Sequence, residues 1–378
     1  MSSEVATTMP PTPHLWQRIP YYRAVLTYSA IRLVTLSLVA ITNLFSHNGI
    51  VKDLSTWDGA WFLRAIYRGY PSHLPMIDGH VAANPIALFP LFPLCIRGLS
   101  DVTLLSAPVV GLWLSALSGV VAVIAIGALS EEFTDRDRAQ RAALLFAVAP
   151  GSFVFSLIYN EGIVISLLAF GLLALLRRRW LVAGVIGAFA SAASPIGLVF
   201  AATAALSSVV AISNRRDWRS MVAPLLAPIG FVAWMGYLWA HTGTLRAWQL
   251  TERGGWNSYP SLWYPFRILA KFITNPLSPT MTGQILFFGT LVSILGLIVL
   301  YREHLPFEVT TYATLAVFLF AISQPVGLRP RFVMLAFPLA IAAAMRWSGT
   351  KYRLLVVVSL ILLALMSYET LTSYAVFP

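Results

Sequence analysis

TWDGAWFLRAIYRGYPSHLPMIDGHVAANPIALFPLFP (56–93) carries Asp58, Arg64, Arg68 and Asp78, yet it closely follows a long apolar run. That run, AVLTYSAIRLVTLSLVAITNLFS (24–46), is long enough to cross a bilayer at about 1.5 Å per residue. A carboxylate just outside a membrane span, framed by Trp57 and Trp61, calls for a reason. Within the stretch, GAWFLRAIYRGY places Trp61, Phe62, Ala65 and Ile66 on one helical face, as an amphipathic interfacial helix would. Asp58 then caps that helix, accepts the proton of a hydroxyl nucleophile, or does both. Residues 85–98 are apolar but short, and Pro85, Pro90 and Pro93 favour a re-entrant or interfacial piece.

Composition agrees with the first run. The chain is 58% hydrophobic and 11% charged, with a mean hydropathy of +0.75; soluble domains carry about twice that charge. The net charge of +11 would suit nucleic acid, but the basic residues sit in short clusters between apolar runs, so no nucleic-acid partner is expected. The single cysteine, Cys95, excludes an internal disulfide and a multi-thiolate metal site.

Further apolar segments near 104–130, 142–158, 162–176, 181–193, 196–213, 220–241, 283–301, 307–323, 332–346 and 354–368 bring the expected spans to about eleven. The reading is an all-α integral membrane protein: residues 1–23 as a cytoplasmic lead-in, then one multispanning helical domain over 24–378. With the N-terminus cytoplasmic, Arg136, Arg138 and Arg141, Arg177–Arg179, Arg215, Arg216 and Arg219, Arg302, and Arg346, Lys351 and Arg353 all fall on the cytoplasmic side. The opposite side receives the two longest loops, 47–84 and 242–282, and with them the expected site of function.

Four groups of residues could carry chemistry there. Asp58 is the first. Glu161, in SLIYNEGIVISLL, is either a turn acid at the water boundary or a buried acid with a partner or a task. Arg329 and Arg331, in QPVGLRPRFVMLAFPL, enter a span against the orientation bias; they suit a phosphate or diphosphate, or they snorkel to lipid headgroups. The loop TGTLRAWQLTERGGWNSYPSLWYPFRILAKF (242–272) sets Trp248, Trp256, Trp263, Tyr259 and Tyr264 beside Arg246, Glu252 and Arg253, as a sugar-binding surface or an interfacial belt. His73, His80 and His241 have no metal-ligand spacing, and no P-loop, dinucleotide fingerprint or nucleophile elbow is present. Arg32, inside the first run, either snorkels to the cytoplasmic face or finds a buried partner.

Five of these segments, in this order, resemble the PIG-V family, the mannosyltransferases of glycosylphosphatidylinositol assembly and their bacterial relatives among the C-type (GT-C) membrane glycosyltransferases. They are Arg32, WDGAWFLRAIYRGYP (57–71), NPIALFPLFPL (84–94), APGSFVFSLIYNEGIVISLL (149–168) and RPRFVMLAFPL (329–339). The resemblance implies a GT-C-like bundle with non-cytoplasmic loop helices and a polyprenyl-phosphate sugar donor, mannose by default. It implies Asp58 as general base, Glu161 as a second essential acid, and Arg331, with Arg329 and Arg64, as contacts to the donor phosphate. Trp57, Trp61, Tyr159, Asn160, Trp256 and Tyr259 are the expected substrate or acceptor contacts. Two departures stand out: Trp61 occupies a position where the family often has His, and SAASPIGL (191–198) lacks an Arg the family tends to place there.

No metal and no cofactor is expected; the expected partners are the sugar donor, a lipid or glycan acceptor and membrane lipids, in a bacterial plasma membrane. A transporter or flippase of a lipid-linked glycan competes with the enzyme. It would place charges deep within several spans, whereas this chain gathers its polar residues at one face. An inactive scaffold subunit is the third reading.

Overall fold

The computed structural model describes residues 19–46, 49–275 and 280–372, so most of the lead-in expected over 1–23 lies outside the described residues. The chain opens with α1 (Tyr22–Ser46). The first large loop is not extended: it folds into α2 (Ile50–Leu54), α3 (Asp58–Arg68) and a small hairpin of β1 (Met76–Ile77) and β2 (His80–Val81), registered Met76 to Val81 and Ile77 to His80. The proline-rich piece expected to be re-entrant or interfacial becomes a 3-10 turn, Pro85–Ala87, followed by α4 (Leu91–Thr103).

The central bundle comprises α5 (Ala107–Glu131), α6 (Arg136–Ala147), α7 (Glu161–Leu176), α8 (Trp180–Ala193) and α9 (Gly197–Arg215). A 3-10 segment, Pro150–Ser156, links α6 to α7. After α10 (Val222–Leu226) and α11 (Ile229–Thr242), the second large loop forms α12 (Ala247–Gly255), β3 (Tyr259–Pro260) and α13 (Tyr264–Thr274). The remainder is α14 (Met281–Arg302), α15 (Phe307–Ile322), β4 (Ser323–Gln324), α16 (Pro330–Leu335), α17 (Pro338–Arg346) and α18 (Gly349–Thr372).

Each of the eleven expected spans falls on helical backbone, although the count of eleven is not itself confirmed. Among the described residues six helical stretches are long and apolar enough to cross a membrane: those beginning at Tyr22, Ala107, Gly197, Trp218, Met281 and Gly349. A seventh arises if α6 and Pro150–Ser156, bent by 68°, form one broken span. The helices α7, α8 and α15 are apolar at only 16, 14 and 16 residues, short of the roughly 20 residues a bilayer core requires. Protein neighbours explain part of their hydropathy. Most of α7 is buried against α5 and α8, whereas Leu354, Ile361 and Leu365 of α18 are left exposed in the manner of a lipid-facing helix.

Small residues set how closely this core packs. Ser115, Ser118, Gly119 and Ala122 line the buried side of α5, and a Cβ on Gly162 of α7 would come within 2.2 Å of the Ser118 hydroxyl oxygen. The Ser166 hydroxyl donates to the Ser118 carbonyl at 3.0 Å, closing the pair. Such small-residue contacts let helices associate where lipid offers no hydrophobic driving force. The start of α7, and with it Glu161, is thereby fixed against α5.

Candidate active site

Local backbone brings three chain-distant charges together. Trp57 precedes α3 with φ 59°, and the chain turns there so that Asp58 begins the helix. Trp57, not Asp58, occupies the N-cap, and Asp58 is the first helical residue; its Oδ2 accepts from Arg331 Nη1 at 2.6 Å. The same Nη1 stands 3.8 Å from Glu161 Oε1. One guanidinium thus lies between two carboxylates. Their side chains are 13% exposed for Arg331, 25% for Asp58 and 7% for Glu161, so only Asp58 retains substantial access. Glu161 is the buried acid of the two readings, not a solvated turn acid.

Aromatic rings wall the cluster. The Arg331 guanidinium lies 4.4 Å from the Phe332 ring centre and 5.3 Å from that of Tyr159. The Asp58 backbone N–H donates to the Tyr159 hydroxyl at 3.3 Å. Tyr159 is 1% exposed, so it supports the site from behind. The Asn160 amide donates to the Ala193 carbonyl at 2.8 Å, tying the start of α7 to the end of α8.

Arg331 is placed by the 3-10 segment beneath it. A Cβ on Gly151 would stand 2.3 Å from the Pro330 carbonyl oxygen and 2.9 Å from Arg331 Cα, so only glycine allows this approach. That segment is in turn held by Arg32, which is 9% exposed and donates to the Ser152 carbonyl and to Ser156 Oγ. Its guanidinium sits 5.1 Å from the Tyr28 ring centre. Arg32 therefore has the buried partner, and the snorkelling reading is set aside. Arg329 donates to the Pro325 carbonyl at 3.4 Å and lies within charge-interaction range of both Arg331 and Asp58.

The second large loop closes over one side. Strand β3 pairs with β4, matching Tyr259 to Gln324 and Pro260 to Ser323. The Gln324 amide donates to the Tyr259 hydroxyl at 2.9 Å. Asn84 donates to the Thr251 hydroxyl at 3.1 Å, fastening α12 to the first loop. Trp256 meets Trp61 edge-on with ring centres 5.2 Å apart. Arg64 is exposed and stacks on the other side of this join, 5.2 Å from Trp61; no ion pair links it to Asp58 or Glu161. His241 contacts the Tyr70 carbonyl at 3.1 Å and stacks on Tyr237. No group of three or more His, Cys, Asp or Glu converges as a metal site among the described residues.

One acid was named from the sequence only as a member of the second loop, with no role of its own. Glu252 on α12 carries a hydrogen bond from the Ser258 hydroxyl and feels the Asp58 charge. Burial pushes its carboxyl up to about 7; the Ser258 bond opposes that rise and the Asp58 charge adds to it. The only sequence signal was a carboxylate within a Trp-rich loop.

No family model matches the chain, and no curated protein matches it. Solved structures do. ArnT from Cupriavidus metallidurans, in a structure bound to undecaprenyl phosphate, is similar with a TM-score of 0.55 at 13% identity; the match covers 90% of this chain and 63% of that one. The oligosaccharyltransferase AglB from Archaeoglobus fulgidus, in complex with an inhibitory peptide and a dolichol-phosphate, aligns with a TM-score of 0.43 at 12% identity, over 91% of this chain and 56% of that one. The fold is of the GT-C class. The chain is an integral membrane protein of that architecture, and it spans under two thirds of the length of ArnT.

Proposed function

We propose that the chain is a membrane glycosyltransferase that moves a sugar from a polyprenyl-phosphate donor to a lipid or glycan acceptor. The observation that carries this reading is the shared Arg331, held 2.6 Å from Asp58 and 3.8 Å from Glu161, with Asp58 the most accessible of the three. A neutral acceptor needs its hydroxyl proton removed, and a lipid-phosphate leaving group needs its charge met; this cluster contains a group for each task. The GT-C fold supports the class, and the resemblance to PIG-V supplies mannose.

In the proposed step the acceptor oxygen attacks the anomeric carbon as its proton passes to Asp58. The bond from that carbon to the phosphate oxygen breaks, the configuration inverts, and polyprenyl phosphate leaves against Arg331 and Arg329. The ion pair in the resting site fits this order of events. An arriving phosphate competes for the Arg331 fork, drawing it from Asp58 and leaving that carboxylate available as base. Glu161 keeps one contact to the guanidinium and holds it in place.

Orientation follows from the same elements. Glu161 opens α7, whereas Arg177, Arg178 and Arg179 directly follow its other end. A basic run at the far end favours a cytoplasmic location for those arginines and a non-cytoplasmic one for the site. A bacterial plasma membrane is the location proposed.

The test is transfer of radiolabelled mannose from polyprenyl-phosphate mannose to a membrane lipid extract by the protein reconstituted in vesicles. Labelled product that requires the protein is the expected result. Movement of the donor across the bilayer without formation of a glycosidic bond would instead sink the enzyme in favour of a flippase.

A further inference from the structure

Beside the cluster lies a second feature that the proposed reaction does not use. One face of α3, formed by Ala60, Leu63, Arg64, Tyr67 and Arg68, opposes α2 across a groove with a cavity volume of about 860 Å³. Lys52 lines its α2 side and Pro108, at the start of α5, its end. The opposite face of α3 is spent on packing, with Phe62 and Ala65 buried. The groove therefore combines an apolar floor with Lys52, Arg64 and Arg68. All three are exposed, and none has a carboxylate within 4.0 Å among the described residues.

Position narrows what such a groove can hold. It lies where α1 ends and α5 begins, the ends of two helices long and apolar enough to cross a membrane, an arrangement that suits a mouth near lipid headgroups. On the proposed orientation this is the non-cytoplasmic face, where the positive-inside bias gives no reason for three clustered cations. Apolar floor and unpaired cations together complement a group with hydrocarbon at one end and phosphate at the other. We infer that the groove between α2 and α3 binds the phosphodiester headgroup of an anionic membrane lipid, separately from the phosphate expected at Arg329 and Arg331, so that Arg64 serves this headgroup in place of the donor phosphate the family resemblance implies for it.

This site adjoins the charged cluster. Asp58 begins the helix whose face forms the groove, and Arg64 stacks on Trp61, which reaches Trp256 of the second loop. A lipid held here extends its headgroup past Trp61 toward Asp58, on the acceptor side of the reaction. That last role rests on the function proposed above; binding of the lipid does not.

The experiment measures retention of phosphatidylglycerol and of phosphatidylcholine by the full-length protein, using native mass spectrometry. The variants are Lys52→Gln/Arg64→Gln/Arg68→Gln and, as control, Arg177→Gln/Arg178→Gln/Arg179→Gln. Losing a cation at a charged interface weakens binding roughly fivefold, so the groove variant should lose on the order of a hundredfold for phosphatidylglycerol and little for phosphatidylcholine. The control should match the wild type. A groove variant that keeps its phosphatidylglycerol overturns the proposal. So does a wild type whose bound lipid is displaced by a few millimolar inorganic phosphate, since that marks a site for free phosphate. Undecaprenyl phosphate forms the remaining arm: loss of its binding in the groove variant would make the groove a donor subsite and also overturn the inference. Because these readouts need no turnover, they stand even if the glycosyltransferase reading fails.

Discussion

Arg331 and Arg64 are the same residue type, both lie near α3, and they live in opposite circumstances. Arg331 is 13% exposed and shared between Asp58 and Glu161; Arg64 is exposed, stacked on Trp61 and, among the described residues, without an acid partner. A buried arginine between two acids is costly to desolvate and persists where its geometry is needed, because removing any one member leaves an uncompensated charge. An exposed arginine in an open groove costs little and holds its donors ready for an incoming anion. Burial therefore separates the candidate chemistry from candidate recognition, although hydropathy alone treats both arginines alike.

The largest effect should come from Asp58. Asp58→Asn preserves shape and removes the proton acceptor, so turnover should fall by about a hundred- to ten-thousand-fold. Membrane insertion and thermal stability should change far less, since the asparagine oxygen still accepts from Arg331. Near-wild-type transfer in reconstituted vesicles would remove Asp58 from the mechanism. Neutralising Arg64 alone should leave the rate at saturating acceptor nearly intact; an equal loss there would erase the distinction between the two arginines.

Arg331→Ala comes next and acts in two ways. Loss of charge-assisted bonds to the donor phosphate, each worth about 1.5–3 kcal/mol, should weaken donor use ten- to a hundredfold. It also strands Glu161 as a buried carboxylate without its cation, destabilising the fold by up to about 3–5 kcal/mol. Adding Glu161→Gln should restore much of that stability while leaving activity low. Donor KM, turnover and the melting temperature of both variants separate these effects. If the double variant melts no higher than the single one, Arg331 and Glu161 are not energetically coupled.

How much of this was legible in advance differs by residue, for physical reasons. Asp58, Glu161 and Arg331 stood out because isolated charges in apolar surroundings need partners, and the structure joins all three. Their pairing was not legible, since it depends on how Pro330–Leu335 docks on Pro150–Ser156. The amphipathic α3 was readable from its spacing, but its groove was not, because the spacing does not reveal that α2 folds back opposite it. Eleven apolar helical segments were legible, and six or seven of them satisfy length and composition as full spans; how the shorter ones divide between protein and lipid is not written in hydropathy. Asn160 was expected as a substrate contact, and the bond from its amide to the end of α8 could not be read from the sequence.

Gly151→Ala should have a smaller effect that bears on the same contrast. The added methyl would meet the Pro330 carbonyl oxygen at 2.3 Å, so the backbone carrying Arg331 must shift. A displacement of that kind should slow turnover roughly tenfold, because positioned groups lose effectiveness steeply with distance. Lipid retention in the groove should remain at the wild-type level. A Gly151→Ala protein with unchanged kinetics would mean that the site tolerates a looser Arg331 than the paired geometry implies.

The smallest expected effect belongs to Glu252, which lies on the loop between the two regions. Its carboxyl ordinarily titrates near 4.5 and is pushed up to about 7 in the fold, with burial as the main cause. Between those values the folded protein binds the proton that the unfolded chain has already released. The contribution of Glu252 to stability is therefore fullest below about pH 4.5, falls as pH rises through that window, and is lost above about 7. At about 1.4 kcal/mol per pH unit, the contribution is on the order of 3 kcal/mol at most. Glu252→Gln should remove that slope, raising the relative stability at pH 8 while slowing transfer only severalfold. Melting temperatures of wild type and variant at pH 5 and pH 8 test the first part. A loss of turnover matching that of Asp58→Asn would shift the role of base from Asp58 to Glu252, and the site would then be organised around the second loop instead of the first.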